Sequence, residues 1–189
     1  MKNYLFILLL FSNISLASYT LGGYSEFTFN TQGDTQGGRN IISYVPQLGL
    51  STIIPYDLPL FGQSFLFPEI GFIYHTNTTS AYSKTQFYLL LDFGQKLTET
   101  SVWRLGFGTF LSQISGDGST IVLNNGGGSA SFYAPKETKT SINTTFDLGF
   151  EYSFDSKNAL KLMGYVFSPF STLKRSFSYT LAWVYYPAI

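Results

Sequence analysis

Large apolar side chains alternate with small or polar ones along most of this chain, in eight stretches. From Phe87 to Phe93 every second residue is Phe or Leu, and from Phe146 to Phe154 every second residue is Phe, Leu or Tyr. A period of two is the signature of a β-strand with one apolar and one polar face. The pattern predicts strands at about residues 18–30, 42–54, 65–75, 84–96, 102–113, 142–154, 159–167 and 176–186.

The segments between these predicted strands differ in length. Tight turns are predicted at 98–101 and 155–157, and a Pro-rich turn at 55–64. Longer polar loops are predicted at 31–41, 76–83, 114–141 and 168–175. If the strands run up and down in chain order, the turns lie at one end of the array and the long loops at the other.

Side-chain volume decides which face of the strands points inward. The apolar face carries more large residues than an eight-stranded barrel can enclose, because such a barrel is only just wide enough for modest side chains. The other face carries glycines, hydroxyls and a few charges, which fit a narrow lumen. The sequence therefore predicts glycine and charge inside and aromatic side chains outside, as in a closed barrel that spans a lipid bilayer.

The first residues have the features of an export signal. Lys2 precedes an apolar run at 4–11, and Ser15-Leu16-Ala17 follows as a small-x-small cleavage pattern. The run is too short to cross a bilayer as a helix, which needs about 20 residues. We expect residues 1–17 to be a signal peptide cleaved after Ala17, and residues 18–189 to form one barrel domain. The alternative is a buried or membrane-anchoring N-terminal helix.

Composition removes several other classes of protein. Charged residues make up 12% of the chain and aromatic residues 19%, and 11 basic side chains balance 11 acidic ones. There is no basic surplus to attract nucleic acid and no cysteine for a disulfide or a thiolate site. Asp117, between two glycines, offers one carboxylate where calcium takes six to eight oxygens. We expect no nucleic-acid partner, no metal and no cofactor.

Residues 18–189 resemble the small eight-stranded outer-membrane β-barrels of Gram-negative bacteria, of the OmpA transmembrane-domain, OmpX and OmpW type. The resemblance rests on the export signal, the alternating strands and the aromatic last strand at 176–186. In those families the last strand is a signal for the barrel-assembly machinery and usually ends in Phe, whereas here Pro187-Ala188-Ile189 follow Tyr186. The resemblance implies an all-β, antiparallel up-and-down barrel, inserted by that machinery into a bacterial outer membrane of lipopolysaccharide and phospholipid.

Charged residues on the inward face are expected to form a polar network in the lumen. The set is Glu26, Glu69, Asp92, Lys96, Arg104, Asp147, Glu151 and Lys161. A charge inside a narrow barrel must be paired or hydrated. Counting across the two tight turns predicts an ion pair of Glu151 with Lys161 and another of Arg104 with Asp92. We expect the network to plug the lumen; the alternative is a gated or selective pore.

Aromatic residues also recur near the predicted strand ends. Amphipathic rings favour the boundary between membrane and water. The residues predicted to form this aromatic girdle are Tyr19, Tyr44, Tyr74, Trp103, Tyr152, Trp183 and Tyr185.

Two further features bear on function. His75, the single histidine, is predicted near the loop-side rim with Glu69 on the same face and hydroxyls following in the chain. A base needs a nucleophile within hydrogen-bond reach, and the His-x-Ser spacing of the lipid A deacylases is broken by Asn77.

The 114–141 loop, with Phe132-Tyr133 in a possible short hairpin, is a candidate surface for a partner.

The sequence thus predicts a small structural or surface-interaction barrel, closed or nearly closed, and not an enzyme. The first alternative is a narrow OmpW-like channel for small or apolar solutes. The second is a lipid A-modifying membrane enzyme that uses His75.

Overall fold

The computed structural model describes residues 17–27, 45–58, 62–75, 82–124, 129–133, 135–172 and 175–187. Every regular element in these ranges is a β-strand. None of the residues described belongs to a helix long and apolar enough to cross a membrane. The strands are β1 Ala17–Phe27, β2 Val45–Thr52, β3 Ile54–Leu58, β4 Gly62–Tyr74, β5 Tyr82–Thr98, β6 Ser101–Gly116, β7 Thr120–Asn124, β8 Ser129–Tyr133, β9 Lys139–Ser153, β10 Asn158–Phe167 and β11 Ser176–Tyr185.

The strands close into a barrel. β1 pairs antiparallel with both β2 and β11, so the first and last strands of the barrel meet. The sheet continues from β11 through β10, β9, β6, β5 and β4, and β4 pairs back onto β2. β2 and β3 are two halves of one wall, interrupted at residue 53, and both pair with β4. The predicted fold class, an eight-stranded antiparallel barrel, is confirmed.

The Pro-rich turn predicted at 55–64 is mostly strand. β3 begins at Ile54, and Pro55 lies opposite Phe65 of β4. Proline lacks an N–H and is tolerated in a sheet beside an irregularity, here the break between β2 and β3. Only residues 59–61 of this connection lie outside the described ranges. The connections at the end of the barrel where β1 begins and β11 ends are therefore all short.

The 114–141 loop contains a separate hairpin. β7 and β8 pair with each other over five residue positions and form their own two-stranded sheet. Phe132 lies in β8, opposite Ile121. The expected short hairpin is present.

The outward face is apolar, as predicted. Leu21 and Leu148 are each 62% exposed, and Phe107 is 59% exposed. On β5 this apolar face runs from Phe87 to Leu97, close to the roughly 9–11 residues that a tilted strand needs to cross a bilayer. The alternation therefore gives the barrel an outer surface suited to lipid.

The lumen holds more than glycine and charge, and here the sequence prediction was incomplete. Its half nearer the long loops is filled by an apolar cluster of Tyr24, Val45, Ile73, Tyr88, Leu90, Phe110, Met163, Tyr165 and Phe167. The Phe110 ring packs 4.8 Å from the Phe167 ring and 5.4 Å from that of Tyr88. Glycines make room for these side chains: a Cβ on Gly71 would overlap the Tyr88 ring, and one on Gly149 would overlap the Met163 sulfur.

Replacing Gly71 by Ala tests this fit. The new methyl group would meet both the Tyr88 ring and the backbone oxygen of Leu48, which cannot move aside cheaply. We expect the free energy of unfolding to fall by about 1–3 kcal/mol, measured by urea titration in lipid vesicles. Gly164→Ala is the matched control, because its Cβ would meet only the Leu148 oxygen at 3.7 Å. Equal effects of the two substitutions would refute the packing argument.

Candidate functional site: a charged network in the lumen

Arg104 on β6 is the centre of the network. Its guanidinium lies 2.7 Å from Asp92, 2.9 Å from Glu151 and 3.5 Å from Glu69. The expected pair with Asp92 is present, and the same side chain links carboxylates from β5, β9 and β4. Arg104 is 1% exposed, and its Cζ lies 4.1 Å from the centre of the Phe67 ring. A planar donor with five N–H groups suits such a convergent site.

Lys161 pairs with a different carboxylate from the one predicted. Lys161 and Glu151 are register partners on β10 and β9, as the count across the turn predicts. The ammonium nevertheless extends across the lumen to Glu69 on β4, at 2.8 and 2.7 Å from its two oxygens. The predicted ion pair with Glu151 is therefore wrong. A long flexible side chain in a narrow barrel can reach the far wall as easily as its neighbour.

Glu151 is held by Arg104 and by a tyrosine that the sequence analysis missed. The hydroxyl of Tyr186, just after β11, donates a short hydrogen bond to Glu151. Tyr186 falls on the inward parity of β11, two positions after the buried Val184. This parity predicts an inward side chain, although an aromatic residue in the last strand is expected to face lipid.

Three other predicted members of the network lie elsewhere or stand apart. Lys96 pairs with Glu99 at the β5–β6 turn, where its side chain is 28% exposed, so it does not join the buried network. Glu26 lies opposite Ser178 on β11, but its side chain is outside the described part of the structure. Asp147 is 1% exposed and contacts neither Arg104 nor Lys161 within ion-pair distance, among the residues described.

Next to the charged residues lies a layer of hydrogen bonds between uncharged side chains, which sequence reasoning did not identify. Thr180 donates to the Gln47 amide oxygen at 2.5 Å, and Gln47 donates to the Tyr88 hydroxyl at 2.9 Å. Tyr88 in turn donates to Glu69 at 3.1 Å. Because Tyr88 belongs to the apolar cluster, the network and the cluster are in direct contact inside the lumen.

His75 lies at the loop-side end of β4, and the structure gives it an amide partner. Its Nε2 lies 2.7 Å from the Gln86 amide oxygen, and Gln86 donates to the Ser112 hydroxyl at 2.8 Å. Glu69, the acid on the same strand face, is bonded to Lys161, Tyr88 and Arg104. The hydroxyls at 76–80 lie outside the described residues, as does the Asn at position 77.

The predicted girdle residues face outward where the structure describes them. Tyr19, Tyr74, Tyr152, Trp183 and Tyr185 are 41–52% exposed, whereas Trp103 is partly covered. Most of them lie at the tight-turn end of the barrel, where β1 begins and β11 ends; Tyr74 lies at the other end, and Tyr44 is outside the described residues. The two tryptophan N–H groups donate to Gln95 and Asn158 at 3.1 and 3.2 Å.

Two exposed aspartates stabilise connections outside the membrane-facing belt. A hydrogen bond with Ser119 lowers the pKa of Asp117, and one with Asn158 lowers the pKa of Asp155. The Asp117 carboxylate accepts from the Ser119 backbone N–H at 2.8 Å. It acts there as a turn residue.

These features define a class of protein. A closed eight-stranded antiparallel barrel, with an apolar outer face and a lumen filled by side chains, is the fold of the small outer-membrane β-barrels. The predicted resemblance to that class is confirmed.

Comparisons with known proteins give likeness of structure only. No protein-family model matches the chain, and no curated protein matches it in sequence. Ail, the attachment invasion locus protein of Yersinia pestis, is similar at 12% identity and a TM-score of 0.44, over 90% of this chain and 96% of that one. The N-terminal β-barrel domain of Pseudomonas aeruginosa OprF is similar at 13% and 0.45, over 90% and 96%. The outer membrane enzyme PagL is similar at 12% and 0.46, over 93% and 100%. Because these identities and TM-scores are low, the activities of those proteins are not assigned to this chain.

Proposed function

We propose that this protein is an integral outer-membrane barrel with a closed lumen, whose function is structural or is carried by its long-loop end at the cell surface. The observation that carries the proposal is the filling of the lumen. Arg104 and Lys161 are each 1% exposed and Phe110 is 0% exposed. Fully buried charged and aromatic layers in series leave no room for a solute at those levels.

The long-loop end offers a surface for a partner. On β5, β6 and β9 the last apolar outward row is Phe87, Leu111 and Ile142, and the next outward row is Thr85, Gln113 and Thr140. All three strands continue beyond that row, to Tyr82, Gly116 and Lys139. This polar three-stranded extension, with the β7–β8 hairpin, would stand in water above the membrane.

The extension also has an open edge. β10 pairs with β9 only as far as Thr145, opposite Phe167. No described strand pairs with the far edge of β9 at 139–143. Unpaired N–H and C=O groups on such an edge can bind an extended segment of another polypeptide. The edge favours a protein or peptide partner at the loop that includes residues 114–141.

The barrel surface supports the proposed lipid and assembly partners. The outward residues of β11 are Phe177, Tyr179, Leu181, Trp183 and Tyr185, an aromatic face of the kind that the assembly machinery is expected to recognise in a last strand. The girdle side chains would lie at the lipid headgroups. A signal peptide cleaved after Ala17 would deliver the chain to that machinery.

The two alternatives receive less support. A channel for small or apolar solutes would require the Arg104 network and the Phe110 cluster both to move. An enzyme using His75 would require an acid to orient the ring, whereas Glu69, the acid on the same strand face, is bonded to Lys161, Tyr88 and Arg104.

Labelling from outside intact cells tests the proposed location and orientation. The chain has no cysteine, so single cysteines can be introduced at Glu137 in the loop and at Ser156 in the tight turn, both exposed. We expect a membrane-impermeant thiol reagent to label the Glu137→Cys protein in intact cells. The Ser156→Cys protein should be labelled only after the outer membrane is permeabilised. The reverse pattern, or equal labelling of both, would contradict the proposal.

A further inference from the structure

Among the described residues, the buried charges of the lumen do not balance. Arg104 and Lys161 supply two positive charges, and four carboxyl groups lie at the same level of the barrel, each at most 4% exposed. These are Glu69, Asp92, Asp147 and Glu151. Three of the four form ion pairs with Arg104 or Lys161. Asp147 is the member left without a cationic partner among the described residues.

Asp147 faces Asp92 across a glycine. An ideal Cβ on Gly106 would lie 2.6 Å from Asp147 Oδ1 and would overlap Asp92 Oδ1. Both oxygens therefore lie close to the same point beside Gly106. Neither oxygen of Asp147 has a hydrogen-bond partner in the described structure, and Asp92 Oδ1 has none either. The other oxygen of Asp92 is bound by Arg104.

Buried charged or polar side chains line the lumen on every strand around Asp147. They are Asp92 from β5, Arg104 from β6, Glu69 from β4, Lys161 and Tyr165 from β10 and Glu151 from its own strand, with the uncharged Thr20, Gln47 and Thr180 on β1, β2 and β11. Arg104 is already shared among three carboxylates, and Lys161 is bound to both oxygens of Glu69. Neither cation is placed to neutralise Asp147 by direct contact.

Two ionised carboxylates cannot face each other in a buried site without a positive charge between them. A metal ion would need more ligands than the site has: calcium takes six to eight oxygens, and no group of three or more acidic or His side chains in the described chain is arranged to hold a metal. A proton needs only one oxygen from each partner. We propose that Asp147 and Asp92 share one proton, held as a hydrogen bond between a carboxylic acid and a carboxylate.

This proton links folding of the barrel to pH. In the unfolded chain an aspartate is ionised at neutral pH, whereas the folded lumen would hold one proton on the pair, so folding takes up a proton. Stability therefore falls as pH rises, and the folding equilibrium constant decreases about tenfold per pH unit while the proton is retained. The dependence disappears at acid pH, at about 4, where the unfolded aspartate is protonated too.

Urea unfolding in phosphatidylcholine vesicles between neutral and alkaline pH tests this linkage. Asp147→Asn is the main variant, because its amide can donate to Asp92 as the proton does but cannot titrate. We expect the folding equilibrium constant of the wild type to fall about tenfold per pH unit as the pH rises. That of the variant should stay nearly constant over the same range. Glu99→Gln makes the same change on an exposed turn residue and should keep the wild-type pH dependence. Identical pH profiles for the wild type and Asp147→Asn would overturn the proposal.

Infrared spectroscopy of the wild-type protein provides a second test that needs no variant. A shared proton predicts the C=O stretching band of a protonated carboxyl group in the folded barrel at neutral pH, lost on unfolding. Absence of that band from the folded protein would also overturn the proposal. Neither measurement depends on where the protein is located or on what its surface binds.

Discussion

Arg104→Met is expected to lower the free energy of unfolding by about 3–5 kcal/mol, the cost of removing one partner from a buried ion pair. Arg104 neutralises Asp92 and Glu151 and lies 3.5 Å from Glu69. Without it, these carboxylates would stay buried with too little positive charge. Urea titration of the vesicle-inserted protein measures the effect.

Arg175→Met is the matched control for this experiment. It makes the same chemical change on an exposed side chain that donates to the Pro169 oxygen at 2.7 Å. We expect it to leave the unfolding midpoint almost unchanged. Equal small effects of both substitutions would show that the network contributes little to folding and would remove the case for a structural plug.

Combined replacement of Lys161 and Phe110 by Ala should turn a silent barrel into a conducting one. Lys161 holds Glu69 across the charged layer, and Phe110 packs against Tyr24, Tyr165 and Phe167 in the apolar layer. Because the two layers lie in series, each closes the lumen when the other is opened. We therefore expect ion current through planar bilayers from the double variant and none from either single variant.

Two other patterns of current would contradict this expectation. Current from Lys161→Ala alone would show that the apolar layer does not block ions. A silent double variant that still inserts and folds would place the closure elsewhere in the barrel. Retention of the heat-dependent shift on SDS gels confirms folding of each variant before its current is measured.

The sequence alone was sufficient to predict the strands of the barrel and which face of each strand points outward. Alternation with a period of two is a local property, and it fixes which side chains of a strand share a face. Tight turns set the register of a hairpin, which is why Lys161 and Glu151 were correctly placed as register partners.

The interior could not be predicted in the same way. Lys161 selects Glu69, 92 positions away in sequence, because the lumen is narrow enough for an ammonium to reach the far wall. Tyr186 and Phe110 face inward although aromatic residues were expected outside. Glycines such as Gly71 leave room for an inward ring, in that case the ring of Tyr88. These contacts depend on which walls face each other across the lumen, and a strand-by-strand pattern does not contain that information.

The measurement that tests the central claim most directly is the conductance of the wild-type protein in planar lipid bilayers. Folding of the incorporated wild type is verified by its heat-dependent shift on SDS gels. A barrel closed by the Arg104 network and the Phe110 cluster predicts no stable current steps. Regular, long-lived steps from the wild type would show an open path through the lumen and would favour the channel alternative.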